Sequence, residues 1–256
     1  MISPLLLDLV ADLAEARGRP PLIGIAGAQG SGKTTLARAA AQRLGGVAFS
    51  LDDVYLTKAE RAALGREVHP LLATRGPPGT HDLALAERTI DALMAGAPTA
   101  LPRFDKLADD RAEPLRVDAP VRVVLMEGWC LGATPQDAAA LAEPVNILEG
   151  EEDEDGAWRT YVNDALAGAY QTFFGRFDAV LHLAAPSFDT VLDWRCEQEA
   201  GLLGLKREDL PPARREALVR FIQHFERITR HMLDGGTRAT ATVWLGADRS
   251  PREWTS

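Results

Sequence analysis

The sequence predicts an α/β fold in which a parallel β-sheet carries helices on both faces. Short apolar runs bounded by turn residues alternate along the chain with longer segments of helical periodicity, as in βαβ units. A glycine-rich turn also joins the first apolar run directly to a helical segment. The predicted strands cover residues 21–26, 47–51, 121–126, 179–183 and 240–245, and the predicted helices cover 34–44, 58–65, 83–95, 157–174, 188–206 and 213–233.

Length and composition indicate one globular domain spanning residues 1–256. The hydrophobic fraction of 46 % is sufficient for a core, and the net charge of −9 argues against a protein that binds nucleic acid. The two cysteines, Cys130 and Cys196, cannot form a disulfide framework, so we expect both to be reduced.

The N-terminal segment is predicted to form an amphipathic helix over residues 4–17. Acidic residues interrupt its apolar positions and no basic region precedes them, so it does not resemble a signal peptide. No stretch approaches the roughly 18 uncharged apolar residues that a membrane span needs. We therefore expect a cytoplasmic protein without a membrane partner.

The glycine-rich turn after the first strand carries the strongest functional signal. It fits the pattern G-x-x-x-x-G-K-[ST], a P-loop whose backbone N–H groups surround phosphate oxygens. Lys33 supplies a charge for the β- and γ-phosphates, and Thr34 supplies a hydroxyl for Mg²⁺. The alternative is an ordinary strand-to-helix turn. The predicted nucleotide-binding residues, within a core at 20–50, are Gly27, Ala28, Gln29, Gly30, Ser31, Gly32, Lys33, Thr34 and Thr35.

Three acidic residues follow predicted strands and should lie at the same sheet edge as the P-loop. Glu127 is expected to serve Mg²⁺ together with Thr34, the alternative being an exposed or helix-capping acid. Asp52 or Asp53 is expected to orient or deprotonate an acceptor hydroxyl. Strand alternation suggests that only one of the two faces the phosphates, and both could instead simply form a turn.

Two polar segments, at about 52–82 and 102–113, are predicted to be loops that form the site of the phosphoryl acceptor. Asp82 is expected to cap the helix that begins at residue 83. The acidic run at 149–155 is interpreted as a solvated loop, and the arginines of the helix at 213–233 as a solvated helix face.

Several blocks of sequence resemble the glycerate 3-kinase family, within the superfamily of uridine kinase, phosphoribulokinase and bacterial pantothenate kinase. The blocks are LDDVYLT (51–57), HPLLATRGPPGTHDL (69–83), PRFDKLADDR (102–111), EGWCLG (127–132), YVNDAL (161–166) and DWRCEQE (193–199). Val54 departs from the phenylalanine usual in the first block. The resemblance implies a P-loop NTPase fold with a helical lid, here at about 188–215, and an ATP- and Mg²⁺-dependent small-molecule kinase.

The resemblance also assigns roles to single residues. It makes Asp52, rather than Asp53, the catalytic carboxylate, and it gives the metal role to Glu127. Arg195 would bring a guanidinium to the transferring phosphoryl group, although it could instead form an i,i+4 salt bridge with Glu199. With Lys33, these residues complete the predicted catalytic set of Lys33, Asp52, Glu127 and Arg195.

The implied acceptor is D-glycerate, which would be converted to 3-phosphoglycerate. Its carboxylate suits Arg75 or Arg111, because a guanidinium bonds both carboxylate oxygens. The predicted acceptor residues are Asp52, Tyr55, His69, Arg75, His81, Asp82, Asp105, Lys106 and Arg111. A nucleoside, a pantothenate-like molecule or another sugar acid remains an alternative acceptor, and a regulatory P-loop ATPase remains an alternative function. The sequence indicates no oligomeric state.

Overall fold

The computed structural model describes residues 3–15, 18–118 and 120–255. The predicted helix at 4–17 is α1, which ends at Leu13, and residues 16 and 17 lie outside the described part of the chain. The elements are α1 (Pro4–Leu13), β1 (Leu22–Gly27), α2 (Lys33–Leu44), β2 (Val47–Ser50), α3 (Lys58–Glu67), α4 (Leu83–Met94), β3 (Thr99–Asp105), β4 (Asp110–Val117), β5 (Val124–Gly128), α5 (Ile147–Glu152), α6 (Ala157–Ala165), α7 (Gln171–Phe174), β6 (Ala179–Ala184), α8 (Phe188–Leu202), α9 (Pro212–Leu233), β7 (Ala241–Leu245) and β8 (Pro251–Thr255).

The main sheet has the strand order β2-β5-β1-β6-β7-β8. All neighbouring pairs are parallel except β7 and β8, so the predicted parallel sheet is confirmed. Its central strands β1, β5 and β6 are buried along their whole length, as expected for strands covered on both faces. The sequence analysis missed β8, because this largely exposed edge strand lacks an apolar run.

Helices cover both faces of the main sheet. On one face, alternate residues of β1, β5 and β6 pack with α1, α2 and α8. On the other face, the intervening residues pack with α4, α6 and α7. α9 contributes Ile222 to the first cluster and Phe225 to the second. None of the described helices combines the length and apolar character needed to cross a membrane.

The second polar segment is not a loop, so the prediction for residues 102–113 was wrong in this respect. β3 and β4 form a separate antiparallel hairpin, with Phe104 opposite Arg111 and Asp105 opposite Asp110. The sequence analysis missed the hairpin because most of β4 is exposed, so its sequence lacks the alternation of apolar and polar residues that predicts a strand. Its turn, residues 106–109, includes Asp109 in a left-handed conformation with φ of 55°.

The acidic run was also misinterpreted, because two of its carboxylates are core residues. Glu149 is fully buried in α5 and pairs with Arg227 of α9, with 2.6 Å between Oε2 and Nη2. Asp153 is buried and pairs with Arg159, with 2.9 Å between Oδ2 and Nη1. The face of α9 that contains Arg227 is consequently buried rather than solvated. Such pairs compensate the cost of burying each charge alone.

Candidate active site

The strand register brings the P-loop and the predicted acidic residues to one edge of the sheet. Glu127 of β5 lies level with Ile25 of β1 on one side and with Ser50 of β2 on the other. The P-loop follows β1, and Asp52 follows β2. The carboxyl ends of parallel strands therefore form a common rim, which is where ligands bind in folds of this class.

The P-loop has the backbone conformation that its glycines permit. Gly30 and Gly32 have φ values of 79° and 89°, in the left-handed region. A Cβ at Gly30 would lie 2.6 Å from the Cβ of Trp194 in α8, so a side chain there would collide with the helix. α2 begins at Lys33, which directs its N-terminus toward the rim.

Glu127 and the P-loop form a site that fits Mg²⁺. Thr34 Oγ1 donates a hydrogen bond of 2.7 Å to Glu127 Oε1, and Lys33 Nζ lies 3.9 Å from Glu127 Oε2. Glu127 is 4 % exposed, and its Oε2 has no hydrogen-bond donor in the described structure. A buried carboxylate oxygen without a donor beside a threonine hydroxyl suits an oxygen-preferring cation.

Mg²⁺ at such a site keeps several waters and binds nucleotide phosphates, so few protein ligands are required. Accordingly, no cluster of three or more His, Cys, Asp or Glu side chains within the described ranges forms a metal cage. Thr34 and Glu127 are the residues that would hold the ion, directly or through water. The oxygen atoms of Thr34 and Glu127 are therefore suitable ligands for Mg²⁺, and their role as its ligands stays a prediction.

Asp52 lies on a 3₁₀ turn (Leu51–Val54) rather than at the end of a strand. Tyr55 Oη donates to its Oδ1 at 2.7 Å, and Lys106 Nζ donates to its Oδ2 at 2.7 Å. Burial alone would raise the pKa of Asp52, but Lys106, Lys33 and the two hydrogen bonds hold that pKa well below its usual range. The Asp52 carboxylate is therefore ionised throughout the physiological pH range.

Asp53 has a structural role in the same turn. Its Oδ2 accepts the Ser50 backbone N–H at 3.0 Å, while the Ser50 hydroxyl accepts N–H groups of the turn, which makes a capping box. Burial raises the pKa of Asp53. Because the two aspartates lie on a turn, the alternation of side chains along a strand does not decide which of them faces the phosphates. Their hydrogen bonds distinguish them instead, since Asp53 caps the turn and Asp52 does not.

The predicted acceptor residues Arg75 and Arg111 are both held by neighbouring carboxylates. Arg75 pairs with Asp109 of the β3–β4 turn and lies over the ring of Phe104. Arg111 donates to the Tyr55 carbonyl at 3.1 Å and to Asp82 Oδ2 at 3.0 Å. Asp82 also caps α4 as predicted, because its Oδ1 accepts the Leu85 N–H at 2.9 Å.

Two predicted acceptor residues make their hydrogen bonds away from Asp52. His69 Nδ1 accepts the Leu71 N–H at 3.3 Å, and its Nε2 lies 3.9 Å from the buried carboxylate of Asp153. Asp105 Oδ1 accepts N–H groups of Leu107 and Ala108, which stabilises the turn of the hairpin. These contacts give both residues structural roles in the described chain.

His81 is held in one neutral tautomer by a residue that the sequence analysis did not single out. Its Nδ1 lies 2.5 Å from Tyr170 Oη, which also accepts the Gly79 backbone N–H at 3.0 Å. Burial lowers the pKa of His81 to about 3, so the ring is neutral. Among the described residues Nδ1 is the acceptor within reach of the phenol proton, so we assign the tautomer in which Tyr170 donates to Nδ1 and Nε2 carries the hydrogen. The Nε2 atom is buried with no hydrogen-bond partner in the described part of the chain, and the ring packs against Tyr55 with 4.8 Å between centroids.

Replacing Tyr170 with Phe is expected to release His81 from this tautomer. Because Nδ1 loses its donor, the pKa of His81 should rise and the two neutral tautomers should mix. Long-range ¹H–¹⁵N correlation spectra measure both effects, with His81→Asn identifying the signal and His224 serving as an internal control. An unchanged His81 signal in Tyr170→Phe would contradict the assigned hydrogen bond.

The segment predicted as a lid packs beside the P-loop. Trp194 of α8 lies against Gly30 and donates from Nε1 to the Ala247 carbonyl at 2.7 Å. Arg249 lies over the Trp194 ring and donates to the Gly30 carbonyl at 2.7 Å. Arg195 Nη2 pairs with Glu199 at 3.0 Å, whereas its Nη1 is buried without a partner among the described residues. Arg195 therefore makes the alternative salt bridge, and its proposed contact with phosphate stays a prediction.

Comparison with known proteins agrees with this geometry. No family model matches the chain. The chain is 30 % identical over 237 residues to the uncharacterised kinase mug58 of Schizosaccharomyces pombe, covering 86 % of this chain and 83 % of that protein. It is 34 % identical over 205 residues to the chloroplastic D-glycerate 3-kinase of Arabidopsis thaliana, covering 72 % of this chain and 42 % of that protein. The chain belongs to the glycerate 3-kinase family of P-loop kinases.

The fold agrees with the same family. The solved structure of D-glycerate 3-kinase from Cryptococcus neoformans covers 100 % of both chains with a TM-score of 0.79 at 23 % sequence identity. The predicted α/β fold of the P-loop kinase type is therefore confirmed. The kinases that are similar in sequence support an ATP-dependent phosphotransferase that acts on an alcohol group.

Two residues around the site of this kinase were missed. Tyr170 lies in the helical segment predicted at 157–174, in a π-helical turn (Leu166–Tyr170) between α6 and α7, and its position reads as ordinary core. Arg249 lies in the β7–β8 turn with a φ of 63°, outside every predicted element. Neither has a local motif, since each contact depends on chain segments that are distant in sequence.

Proposed function

We propose that this protein transfers the γ-phosphoryl group of Mg²⁺-ATP to D-glycerate and forms 3-phosphoglycerate. The observation that carries the proposal is the common rim, where the P-loop with Lys33, Asp52 after β2 and Glu127 of β5 lie at the carboxyl ends of neighbouring parallel strands. A carboxylate beside the P-loop lysine is placed to receive an acceptor hydroxyl near the γ-phosphate. The family membership and the name of the plant relative support glycerate as the acceptor.

In this proposal the P-loop N–H groups and Lys33 hold the phosphates, and Thr34 and Glu127 hold the metal. Mg²⁺, when bound, neutralises the charge of the β- and γ-phosphates. Asp52 accepts a hydrogen bond from the acceptor hydroxyl and aligns its oxygen with the γ-phosphorus. The new O–P bond forms as the bond between the γ-phosphorus and the β–γ bridging oxygen breaks, and the hydroxyl proton leaves through Asp52.

In this proposal the main contribution of Asp52 is to orient the hydroxyl, because a carboxylate is a weak base that removes a proton only late in the reaction. Arg195, through its unpaired Nη1, would approach the transferring phosphoryl group if α8 closes further over the P-loop. That closure, like the cytoplasmic location and the predicted absence of nucleic-acid and membrane partners, stays a prediction.

Acceptor-dependent release of ADP tests the proposal. The wild-type protein is assayed with Mg²⁺-ATP and D-glycerate, L-glycerate, uridine, pantothenate, ribose or no acceptor, and the product is identified by ³¹P NMR. The proposal requires the highest turnover with D-glycerate and a phosphate on its 3-hydroxyl. Equal ADP release with and without every acceptor would favour the regulatory ATPase instead, and turnover with uridine alone would favour a nucleoside kinase.

A further inference from the structure

Four cationic side chains contact Asp52, the Tyr55 backbone or the turn of the β3–β4 hairpin, and three of them have structural partners. Arg61 is fully buried and pairs with Asp109, with 2.7 Å between Nη2 and Oδ2. Arg75 shares the same aspartate, and Arg111 is held by Asp82 and by the Tyr55 carbonyl. A substrate carboxylate that bound one of these guanidinium groups would have to share it with a protein carboxylate that already pairs with it.

Lys106 differs from these arginines in position and in partner. It is the first residue of the β3–β4 turn, and its side chain is 61 % exposed. Asp52 is its only hydrogen-bond partner within the described ranges, at 2.7 Å. Within the described residues the hairpin is a separate two-stranded sheet, with no ladder hydrogen bonds to the main sheet. An exposed lysine on such a turn can change partner with little disturbance of the fold.

The partner of Lys106 is the carboxylate that the proposed reaction needs. Tyr55 occupies Oδ1 of Asp52, so Oδ2, which Lys106 contacts, is the oxygen left for an acceptor hydroxyl. Moving the ammonium away from Asp52 exposes two charges that were paired, which is unfavourable unless a second anion receives the ammonium. A carboxylate on the acceptor is such an anion, whereas a neutral alcohol is not.

We propose that Lys106 is the residue that recognises the acceptor's carboxylate, exchanging its ion pair with Asp52 for one with the acceptor as the acceptor's hydroxyl takes its place on Asp52. The acceptor class is then a short hydroxy acid, because the two protein groups that receive its ends start in direct contact. This inference rests on the proposed function and refines it, since it replaces Arg75 and Arg111 with Lys106 as the carboxylate ligand.

The test compares a hydroxy acid with its neutral counterpart. D-glycerate and glycerol share a three-carbon skeleton and differ in the carboxylate. Steady-state kinetics with both acceptors are measured for the wild type, Lys106→Met, Lys106→Arg and the control Lys58→Met, an exposed lysine at the start of α3. Thermal unfolding of each variant establishes that it is folded.

The expected result is a selective loss. Lys106→Met should lower kcat/KM for D-glycerate by about 10- to 100-fold, mainly through KM, because a charged hydrogen bond to the acceptor is lost. Its kcat/KM for glycerol should stay the same or rise, since Asp52 is no longer covered. Lys106→Arg should recover part of the D-glycerate activity, and Lys58→Met should match the wild type with both acceptors.

The remaining outcomes separate the inference from the proposed function. Equal losses with both acceptors, or a retained preference for D-glycerate in Lys106→Met, would overturn the role of Lys106 alone. If the wild type uses pantothenate instead of D-glycerate, the named substrate and the short acceptor class both fail, and pantothenate with its neutral alcohol pantothenol then tests the role of Lys106. A wild type that phosphorylates only neutral acceptors would overturn both.

Discussion

Asp52→Asn is expected to lower kcat with the acceptor by about 10²- to 10⁴-fold while ATP binding is retained. The amide keeps the size of the side chain and an oxygen for the Tyr55 hydroxyl, but it loses the charge that receives the acceptor hydroxyl. Steady-state kinetics with D-glycerate and titration with a fluorescent ATP analogue measure the two properties separately.

Asp53→Asn is the matched control, because its carboxylate caps Ser50 and makes no contact with Lys106. We expect a modest loss of stability from the weakened cap and nearly unchanged kcat. If Asp53→Asn lost more activity than Asp52→Asn, the assignment of the catalytic carboxylate would have to be reversed.

The pH dependence of the same reaction follows from the ion pair at Asp52. A carboxylate with a lowered pKa stays ionised as the pH falls and loses its charge only below its usual range. The wild type should therefore show no loss of kcat/KM from protonation of Asp52 between pH 8 and about pH 5. Lys106→Met should raise the pKa of Asp52 and bring an acid-side loss of activity to higher pH.

Glu127→Gln is expected to raise the Mg²⁺ concentration needed for half-maximal activity by about 10- to 100-fold and to lower kcat at saturating Mg²⁺. The glutamine oxygen can still accept the Thr34 hydroxyl, so the local structure is preserved while the charge that attracts the cation is removed. Initial rates are measured against free Mg²⁺ at saturating ATP and acceptor.

The thermal stability of Glu127→Gln provides the control. Among the described residues Glu127 Oε2 has no hydrogen-bond donor and only Lys33 Nζ, 3.9 Å away, as a charged neighbour, so the variant should unfold at a temperature only slightly below that of the wild type. A Mg²⁺ dependence identical to that of the wild type would contradict the metal role of Glu127 and would leave it as a structural partner of Thr34.

Local sequence determined the features of the site that depend on neighbouring residues. The P-loop follows from one uninterrupted segment, because its glycines, lysine and threonine act within a single turn. Asp52 and Glu127 could be placed at the sheet rim because each follows or ends an apolar strand, and parallel strands share their carboxyl ends. Asp82 could be predicted to cap α4 because a cap acts within a few residues.

Tertiary structure decided the contacts that join distant segments. Asp52 and Lys106 are separated by 54 positions, and His81 and Tyr170 by 89. In the sequence Lys106 is one polar residue among several, and Tyr170 is one aromatic residue of a helix. Only the fold shows that the lysine pairs with the Asp52 carboxylate and that the tyrosine hydroxyl contacts the histidine ring.

The charged segments show the same division most clearly. The run at 149–155 is acidic enough to predict solvation, since isolated charges are rarely buried. Glu149 is nevertheless fully buried, because Arg227, 78 positions away, bonds both of its carboxylate oxygens. The sequence by itself determined the nucleotide site, the fold class and the rim of acidic residues. The packing of distant segments decided which charged side chains are solvated, which are paired in the core and which remain available to a substrate. The physical reason is that the free energy of a charged side chain depends on the partner that the fold places beside it.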